Sequence, residues 1–504
     1  MKTYIKHIGI FIVLMLVVQT SCDDGFSELN TDPQSATAIN PNFQFTWVQL
    51  RTSGGRYENW RAALIYSSTM IQHFATNCTY WNGDKYSYNG GYNSSLFDRA
   101  YTESVRDMQD LIFTLESGAA GDQTMLGIAR IWRVLIFSRI TDLYGDIPYS
   151  EAGKALKEGI DFPKYDRQED IYMDMLKELE EGVAQITNDG GFGNADLLYN
   201  GDPEKWKRFG NSLMLRLAMR LSEVDPGTAQ AWVAKAISGG VMNSNGDDAF
   251  IQHSDGPDGW NRNGIGEVLD NTLGTDDCPR MSKTMIDWLV DNGDPRLDVV
   301  AVIPDSVSTH NGMPNGLDEI TLPLNPTGTS RGHFDRINND LVRMSSPMMF
   351  MTYAEAEFLK AEAAVRGWGA GNAEEHYNAG VRAAMHLYAH WDASFDIPDG
   401  DIDSYLANNP FDSGNAMSQI GWQYWMVTLL NEYEAYSNYR RTGVPELVPV
   451  MHEDNENTTN GQIPSRLAYP TSELGFEQFD AALSQQGMGN DPTVWMAVPV
   501  WWDK

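Results

Sequence analysis

A loop rich in aromatic and polar residues is the segment best suited to bind a ligand. Residues 77–88 (NCTYWNGDKYSY) place Tyr80, Trp81 and Tyr86 among turn-forming, hydrogen-bonding neighbours such as Asn82. An exposed indole can stack on the apolar face of a sugar ring, and one such platform can contribute about 1 kcal/mol beyond its burial. Amide side chains can fix the hydroxyl groups at the same time. The pattern predicts that Trp81, Tyr80, Asn82 and Tyr86 contact a ligand.

A second candidate platform is Trp260, in the segment 255–264 (DGPDGWNRNG). Its neighbours Asn261 and Asn263 are predicted to share in ligand binding. The alternative for both loops is that the indole is buried in the core. Tryptophans that lie on helical apolar stripes are predicted to be core residues: Trp132, Trp206 and Trp288.

Catalytic chemistry finds weaker support. The sequence contains neither a G-x-S-x-G nucleophile motif nor a phosphate-binding loop. His386 and His390 have the spacing of a zinc-binding helix, but Leu387 stands where the general-base glutamate belongs, so helix packing is the better interpretation. A carboxylate pair for glycoside hydrolysis stays possible among 69 acidic residues, because its spacing is set in space.

The segment 255–264 is also rich in oxygen ligands, although it lacks the order of an EF-hand loop. A structural calcium ion is therefore left open there. No other cofactor and no catalytic metal are predicted.

The amino terminus indicates export and lipidation. Lys2 and Lys6 precede an apolar run over residues 8–18, which at about eleven residues is too short to span a bilayer. Ser21 and Cys22 follow at the position of a cleavage site. The pattern predicts a lipoprotein signal peptide over residues 1–21 and a lipid on the Cys22 thiol, although Gln19 replaces the usual leucine. The alternative is an ordinary secreted protein that is cut nearby.

The net charge limits the classes of partner, and the cysteine content leaves one disulfide possible. The formal net charge is −33, which argues against nucleic acid and anionic lipid surfaces, because both require basic patches. Contact with the membrane is therefore predicted through the lipid anchor alone. Cys78 and Cys278 either form a disulfide or remain buried thiols, and the sequence leaves both open.

The elements that position these residues are mainly helical. Residues 22–40 are polar and are predicted to be a tether, and 41–504 a single domain. Amphipathic helical periods cover 125–140, 170–183 and 206–221. Residues 353–366 and 373–388 are predicted helices joined by a glycine-rich turn, which is a helix–turn–helix unit of roughly TPR length. A last helix is predicted over 422–441.

The stretch 239–347 differs from the rest, because Gly, Pro, Asn and Asp cluster there and only 281–290 predicts a clear helix. Long loop-rich stretches of this kind are usually functional. The predicted fold class is mainly α: a helical bundle with TPR-like helix–turn–helix pairs, mainly over 98–238 and 350–441, plus this irregular loop-rich region.

Motifs in chain order suggest a family. They are FSELNTDPQSAT (26–37), RITDLYGDIPYSEA (139–152), KWKRFGNSLMLRLAMRLS (205–222), NGDPRL (292–297), MTYAEAEFLKAEAAVRG (351–367), AYSNYRRTGVPEL (435–447) and IPSRLAYPTSE (463–473). Together they resemble the SusD/RagB family of surface lipoproteins, with Ala468 in place of a usual proline. Arginines in these motifs are expected to tie loops together through carboxylates and carbonyls: Arg296, Arg440 and Arg441.

The resemblance implies a SusD-like helical fold and a non-catalytic protein on the outer membrane, exposed at the cell surface. Such a protein captures a glycan and delivers it to a SusC-like TonB-dependent transporter. Trp81 matches the place of the ligand-stacking tryptophan of the family. The acidic surface and the aromatic loops favour a neutral glucan as ligand. Two alternatives are a surface glycoside hydrolase and a RagB-like protein that captures peptides.

Overall fold

The computed structural model describes residues 39–117, 122–270, 277–453 and 458–503. Within these, the chain from Pro41 onward forms one compact unit. The predicted signal peptide, Cys22 and all but the last two residues of the predicted tether lie outside the described residues. None of the helices in the described ranges is long and apolar enough to cross a membrane.

The first half of the unit is a series of helices that pack on their chain neighbours. The main ones are Pro41–Ser53, Arg106–Ser117, Gln123–Tyr144, Gln168–Gln185, Pro203–Arg220 and Pro226–Gly239. Asp202 begins one of them by accepting hydrogen bonds from the backbone N–H groups of Glu204 and Lys205. Gly127 permits a close helix contact, because a Cβ there would lie 2.5 Å from the Gly182 carbonyl oxygen.

The second half repeats this arrangement. Its main helices are Tyr353–Val365, Ala373–His386, Asp399–Asn408, Ala416–Val427 and Glu432–Thr442. The first two pack together as the predicted helix–turn–helix pair. The single helix predicted over 422–441 is wrong, because the chain leaves helical geometry at Leu430, whose φ of 71° is left-handed. The mainly α, TPR-like fold class is confirmed.

The stretch 239–347 contains short elements, with the helix Lys283–Asp291 near its predicted place. Its shorter helices are Gly266–Leu269 and Leu297–Val300. Strands in the described residues form antiparallel pairs: Phe74–Ala75 with Arg280–Met281, Ile147–Pro148 with Tyr165–Asp166, Ala249–Gln252 with Pro347–Met351, and Ala301–Val302 with Arg336–Ile337.

The helical tryptophans divide into two groups. Trp132 and Trp206 are fully buried and contact each other edge to face, as expected of core residues. Trp288 is half-buried and packs against the edge of the core, so its assignment to the core is correct only in part. Its ring lies parallel to that of Trp422, which is also half-buried, and the two stack at the surface.

Buried ion pairs join the two halves. Between the halves, Arg220 donates to Glu434 at 2.7 Å and Arg216 donates to Glu355 at 2.6 Å. Within the second half, Arg441 donates to both carboxylate oxygens of Glu362. Burial opposes ionisation of Glu434, but Arg220 and Arg216 outweigh it and hold its pKa below the usual value. Arg441 therefore pairs with a carboxylate as expected, but it joins two helices and not loops, in a fixed bidentate geometry.

Candidate functional site

The loop 76–88 is fixed to the rest of the chain at its first end. The strand Phe74–Ala75 pairs with Arg280–Met281. A disulfide joins Cys78 to Cys278, with their Cα atoms 5.9 Å apart, which settles the question that the sequence left open. This loop and the segment around residue 280 therefore form one cross-linked body.

A buried carboxylate fixes the middle of the loop. Asp84 is fully buried and accepts hydrogen bonds from the backbone N–H groups of Thr76 and Gly316 and from the side chain of Asn315. Burial raises the pKa of Asp84, while Lys85 nearby opposes that effect. These bonds draw the loop inward against the segment 313–316.

Two predicted ligand contacts are wrong for this reason. The Trp81 side chain has no exposed surface, and the backbone N–H of this residue donates to the Cys78 carbonyl oxygen at 3.0 Å. Tyr86 is also fully buried, and its hydroxyl accepts a hydrogen bond from the N–H of Val450. The sequence predicted an exposed loop here, but the disulfide and the buried Asp84 hold the loop inside the core. Neither ring can therefore stack on a sugar in this conformation.

Two other residues of the loop keep exposed surface. Tyr80 is 42% exposed, and its hydroxyl lies 2.9 Å from the Cys278 sulfur. Asn82 is half-buried and begins the short 3-10 helix Asn82–Lys85. Tyr80 is thus the aromatic residue of the predicted set that solvent reaches in this loop.

Tyr80 belongs to a cluster that we call the aromatic arc: Tyr57, Trp60, Tyr80 and Tyr92. The Trp60 ring centroid lies 6.2 Å from that of Tyr80 and 5.9 Å from that of Tyr92. Trp60, Tyr57 and Tyr92 are all half-buried. Trp60 lies at the start of the π-helix Asn59–Ser68, a wide helical geometry that is frequent at functional sites.

Arginines surround the arc and hold its rings. The Arg61 guanidinium lies 3.9 Å from the Tyr57 ring centroid and 5.0 Å from that of Trp60. Arg56 approaches Trp60 at 5.0 Å as well. Aromatic faces and planar donors side by side can bind a sugar, since the rings contact its apolar face and the guanidinium groups bond its oxygens. Two cations at this place also offset the acidic surface locally.

Trp260 lies in a second exposed cluster. It is 44% exposed and contacts Trp47, with ring centroids 5.5 Å apart. The Arg51 guanidinium covers Trp260 at 3.8 Å. Burial lowers the pKa of Arg51 to about 10, so it stays charged at neutral pH. The exposure of Trp260 is compatible with its predicted role, which stays a prediction.

The two asparagines beside Trp260 differ in what their side chains do. Asn263 is 4% exposed, and its amide bonds the carbonyl oxygens of Ser346 and Pro347 as well as the N–H of Ile265. Its predicted ligand contact is wrong, because every polar atom of that side chain already has a protein partner. Asn261 is half-buried, and its backbone carbonyl oxygen accepts hydrogen bonds from the N–H of Ser254 and from His253. The ligand contact predicted for its side chain stays a prediction.

A chain of alternating charges connects the two clusters. Glu103 pairs with Arg51 on one side and with Arg99 on the other, where the distance is 2.9 Å. Arg99 in turn lies 4.9 Å from the Tyr57 ring centroid. The aromatic arc and the Trp47–Trp260 pair are therefore neighbours, linked through Arg51, Glu103 and Arg99.

The next question is whether side chains of the described residues could bind a metal ion. The described residues contain no group of three His, Cys, Asp or Glu side chains that could hold a metal ion. His386 and His390 each bond a separate carboxylate, Asp396 at 2.7 Å and Asp248 at 2.9 Å. A calcium ion bound by the oxygens of residues 255–264 stays an untested prediction.

The sequence did not reveal Trp60, Tyr57, Tyr92 or Trp47. Trp60 begins an apolar run that continues through buried Ala62, Ala63 and Leu64, so a helical pattern assigns it to the core. The signal that was available is charge, because Arg56 and Arg61 flank Trp60 within five positions. Two charged neighbours so close in sequence indicate that this part of the helix faces solvent, and Trp60 with it.

Comparison with solved structures finds relatives over nearly the whole chain. A chitin-binding protein shares 34% identity with a TM-score of 0.82, over 92% of this chain and 100% of that chain. A Bacteroidetes SusD-like protein, AC2a, shares 27% with a TM-score of 0.80, over 92% and 100%. A chitin-binding SusD homolog from Flavobacterium johnsoniae shares 24% with a TM-score of 0.75, over 92% and 98%.

No curated protein matches the chain. The SusD-like family described as starch-binding and associating with the outer membrane matches residues 33–470. The resemblance stated from the motifs is confirmed, and this chain belongs to the SusD-like family.

Proposed function

We propose that this protein binds a neutral glycan at the aromatic arc, on the outside of the outer membrane and without catalysis. The observation that carries the proposal is the half-exposed ring cluster of Trp60, Tyr80 and Tyr92, with Arg61 over its edge. Aromatic platforms beside planar donors suit an uncharged ring with an apolar face and hydroxyl groups at its edge.

For the ligand class we propose β-linked N-acetylglucosamine chains, as in chitin, ahead of the neutral glucans expected from composition. A structure 34% identical to this chain is named a chitin-binding protein. Equatorial substituents give a β-1,4-linked pyranose two flat apolar faces, which can contact the exposed rings of the arc. The acetamido group adds a methyl group for aromatic contact and an amide for hydrogen bonding.

Attachment and delivery form the second part of the proposal. The Cys22 lipid anchors the protein to the outer membrane, and a SusC-like TonB-dependent transporter receives the glycan. Purification from native membranes should yield the pair together, and Cys22→Ala should release the folded protein from the membrane fraction. Repeated isolation of this protein alone, or full membrane retention of the variant, would contradict this part.

The ligand test uses the full chain carrying Cys22→Ala, titrated calorimetrically with chitohexaose, cellohexaose and maltohexaose. We expect the tightest binding for chitohexaose and at least a tenfold loss in Trp60→Ala, with a nearly unchanged melting temperature. Trp232→Ala is the matched control, since Trp232 is a half-buried tryptophan that stacks on Lys235 away from the arc. Equal binding by wild type and Trp60→Ala would exclude the arc as the site.

Catalysis is tested in the same samples. Prolonged incubation with each hexaose should leave its length unchanged when the products are separated by mass. Shorter oligosaccharides that accumulate in proportion to protein concentration would support the glycoside hydrolase alternative instead.

A further inference from the structure

A groove lies among the helix Lys283–Asp291 of the loop-rich stretch and three helices of the second half: Ala373–His386, Asp399–Asn408 and Ala416–Val427. Its volume is about 380 Å³, within the range of small-ligand pockets. We call it the Trp288 groove and define it by its main lining residues: Trp288, Tyr377, Tyr405, Asn409, Trp422 and Gln423. None of them belongs to the aromatic arc.

The lining of the Trp288 groove is polar yet uncharged. The described residues that line it are aromatic rings, amides, a serine and a proline, without a single Asp, Glu, Lys, Arg or His. That composition is unusual on a protein with a net charge of −33. It suits a ligand that is neutral and that offers both an apolar face and hydroxyl or amide groups.

Two tryptophans form one wall. The rings of Trp288 and Trp422 are nearly parallel, at an angle of 3° with centroids 5.4 Å apart, and Trp422 contacts the buried Trp425 edge to face. Both stacked rings are half-buried. The indole pair packs against Trp425 on one side and is partly open to solvent on the other, so it forms a rigid platform. Binding to a rigid platform avoids the entropy cost of ordering these side chains.

Hydrogen bonds within the protein hold the side chains at the floor of the Trp288 groove in place. Gln423 is 1% exposed, donates to the Tyr405 hydroxyl at 2.9 Å and accepts from Arg296 at 2.8 Å. Arg296 is itself fully buried and paired with Asp294. The Asp-Pro-Arg segment, which the sequence marked as scaffold, therefore orients the groove from below.

Asn409 adds a polar group at the side. Its amide nitrogen donates to the carbonyl oxygens of Asn292 and Tyr405, at 3.0 and 3.1 Å. Since the nitrogen is committed to these carbonyls, the side-chain oxygen is the atom that would accept a hydrogen bond from a ligand hydroxyl.

We propose that the Trp288 groove is a second carbohydrate site, which takes one or two neutral pyranose units of the same glycan class as the aromatic arc. The inference rests on the proposed function only for the class of ligand, because its residues and helices are separate. Two sites that engage one polysaccharide chain would raise the apparent affinity well beyond either site alone.

The test isolates the groove by removing the arc. In full-length protein with Cys22→Ala, Trp60→Ala and Tyr80→Ala, residual binding of chitohexaose should remain, with a stoichiometry of one. Ser418→Phe should abolish it by filling the groove from its lining helix, and Trp422→Ala should weaken it at least tenfold. Trp368→Ala, on a half-buried tryptophan in the turn that follows Arg366, serves as the control.

Melting temperatures of all variants are measured alongside, and Ser418→Phe keeps the test decisive if Trp422→Ala fails to fold. On insoluble chitin, Ser418→Phe alone should reduce retention at least tenfold while the arc keeps its affinity for the hexaose.

An arc-null protein that binds none of the three hexaoses, beside a wild type with a single site, would overturn the groove proposal and leave the proposed function standing. Absence of binding in the wild type as well would overturn both. Residual binding that Ser418→Phe leaves unchanged would also overturn the groove proposal.

Discussion

Trp60 and Trp81 belong to two neighbouring regions that the chain uses in opposite ways. Trp81 lies in a polar, turn-rich loop and has no exposed surface, whereas Trp60 lies in a helix and is half-exposed among other rings. The loop is pulled inward by the Cys78–Cys278 disulfide and by the bonds of Asp84. Whether a tryptophan is exposed therefore depends on long-range links more than on the polarity of its neighbours.

The largest expected effect tests the burial of Trp81. Trp81→Ala should lower the free energy of unfolding by about 3–5 kcal/mol, because it leaves a large cavity in a closed core. Thermal and urea unfolding measure the loss. Glycan affinity of the folded fraction should stay within about twofold of wild type, since Trp81 has no surface for a ligand.

Trp60→Ala is the matched partner, and it should show the reverse pattern of weak binding and a stability change of about 1 kcal/mol or less. If Trp81→Ala lost glycan binding and kept its stability, Trp81 would be a ligand-binding residue and its assignment to the core would be wrong.

The next effect concerns the cross-link. Replacement of both cysteines, Cys78→Ser with Cys278→Ser, should cost about 2–4 kcal/mol, because the bond closes a loop of 200 residues. Glycan binding should weaken as well, since the exposed Tyr80 lies against the Cys278 sulfur. Unfolding of wild type with and without a reductant, beside the double variant, measures the cost. Equal stability of all three samples would show that Asp84 and its bonds hold the loop alone.

The sequence predicted helices and their order well, since amphipathic periods are local. It placed the helices Gln123–Tyr144 and Tyr353–Val365 to within a few residues. It failed at Trp81, Tyr86 and Asn263 for one shared reason. Each is buried by partners far away along the chain, such as Cys278, Val450 and Ser346, and no local pattern encodes those contacts.

A pH effect of intermediate size tests the support beneath Trp260. Burial lowers the pKa of His253 to about 4, below its ordinary value of 6.5. Its neutral ring lies 2.6 Å from the Ser53 hydroxyl and donates to the Asn261 carbonyl oxygen. The unfolded chain takes up the proton first as the pH falls, so this contribution to stability is complete above pH 6.5 and is lost between 6.5 and 4.

The loss should reach about 2–3 kcal/mol at pH 4, since each pKa unit corresponds to about 1.4 kcal/mol. Chemical denaturation of wild type and His253→Gln across this range isolates the effect, because every other titrating group is common to both. Parallel stability curves for the two proteins would mean that His253 does not titrate in this window.

The smallest expected effect separates the two exposed clusters. Trp260→Ala should cost only about 0.5–1 kcal/mol of stability, the usual value of an exposed cation–π contact, because Arg51 keeps its pairing with Glu103.

The effect of Trp260→Ala on binding should depend on the length of the ligand. Trp260 is linked to the arc through Arg51, Glu103 and Arg99, and we expect a disaccharide seated at Trp60 to stop short of it, whereas a hexaose would extend to it. Chitohexaose affinity should fall by about fivefold, the equivalent of one aromatic platform, while chitobiose affinity stays unchanged in the same titration. An equal loss for both sugars would mean that Trp260 acts through the position of Arg51, and no loss for either would confine the site to the aromatic arc.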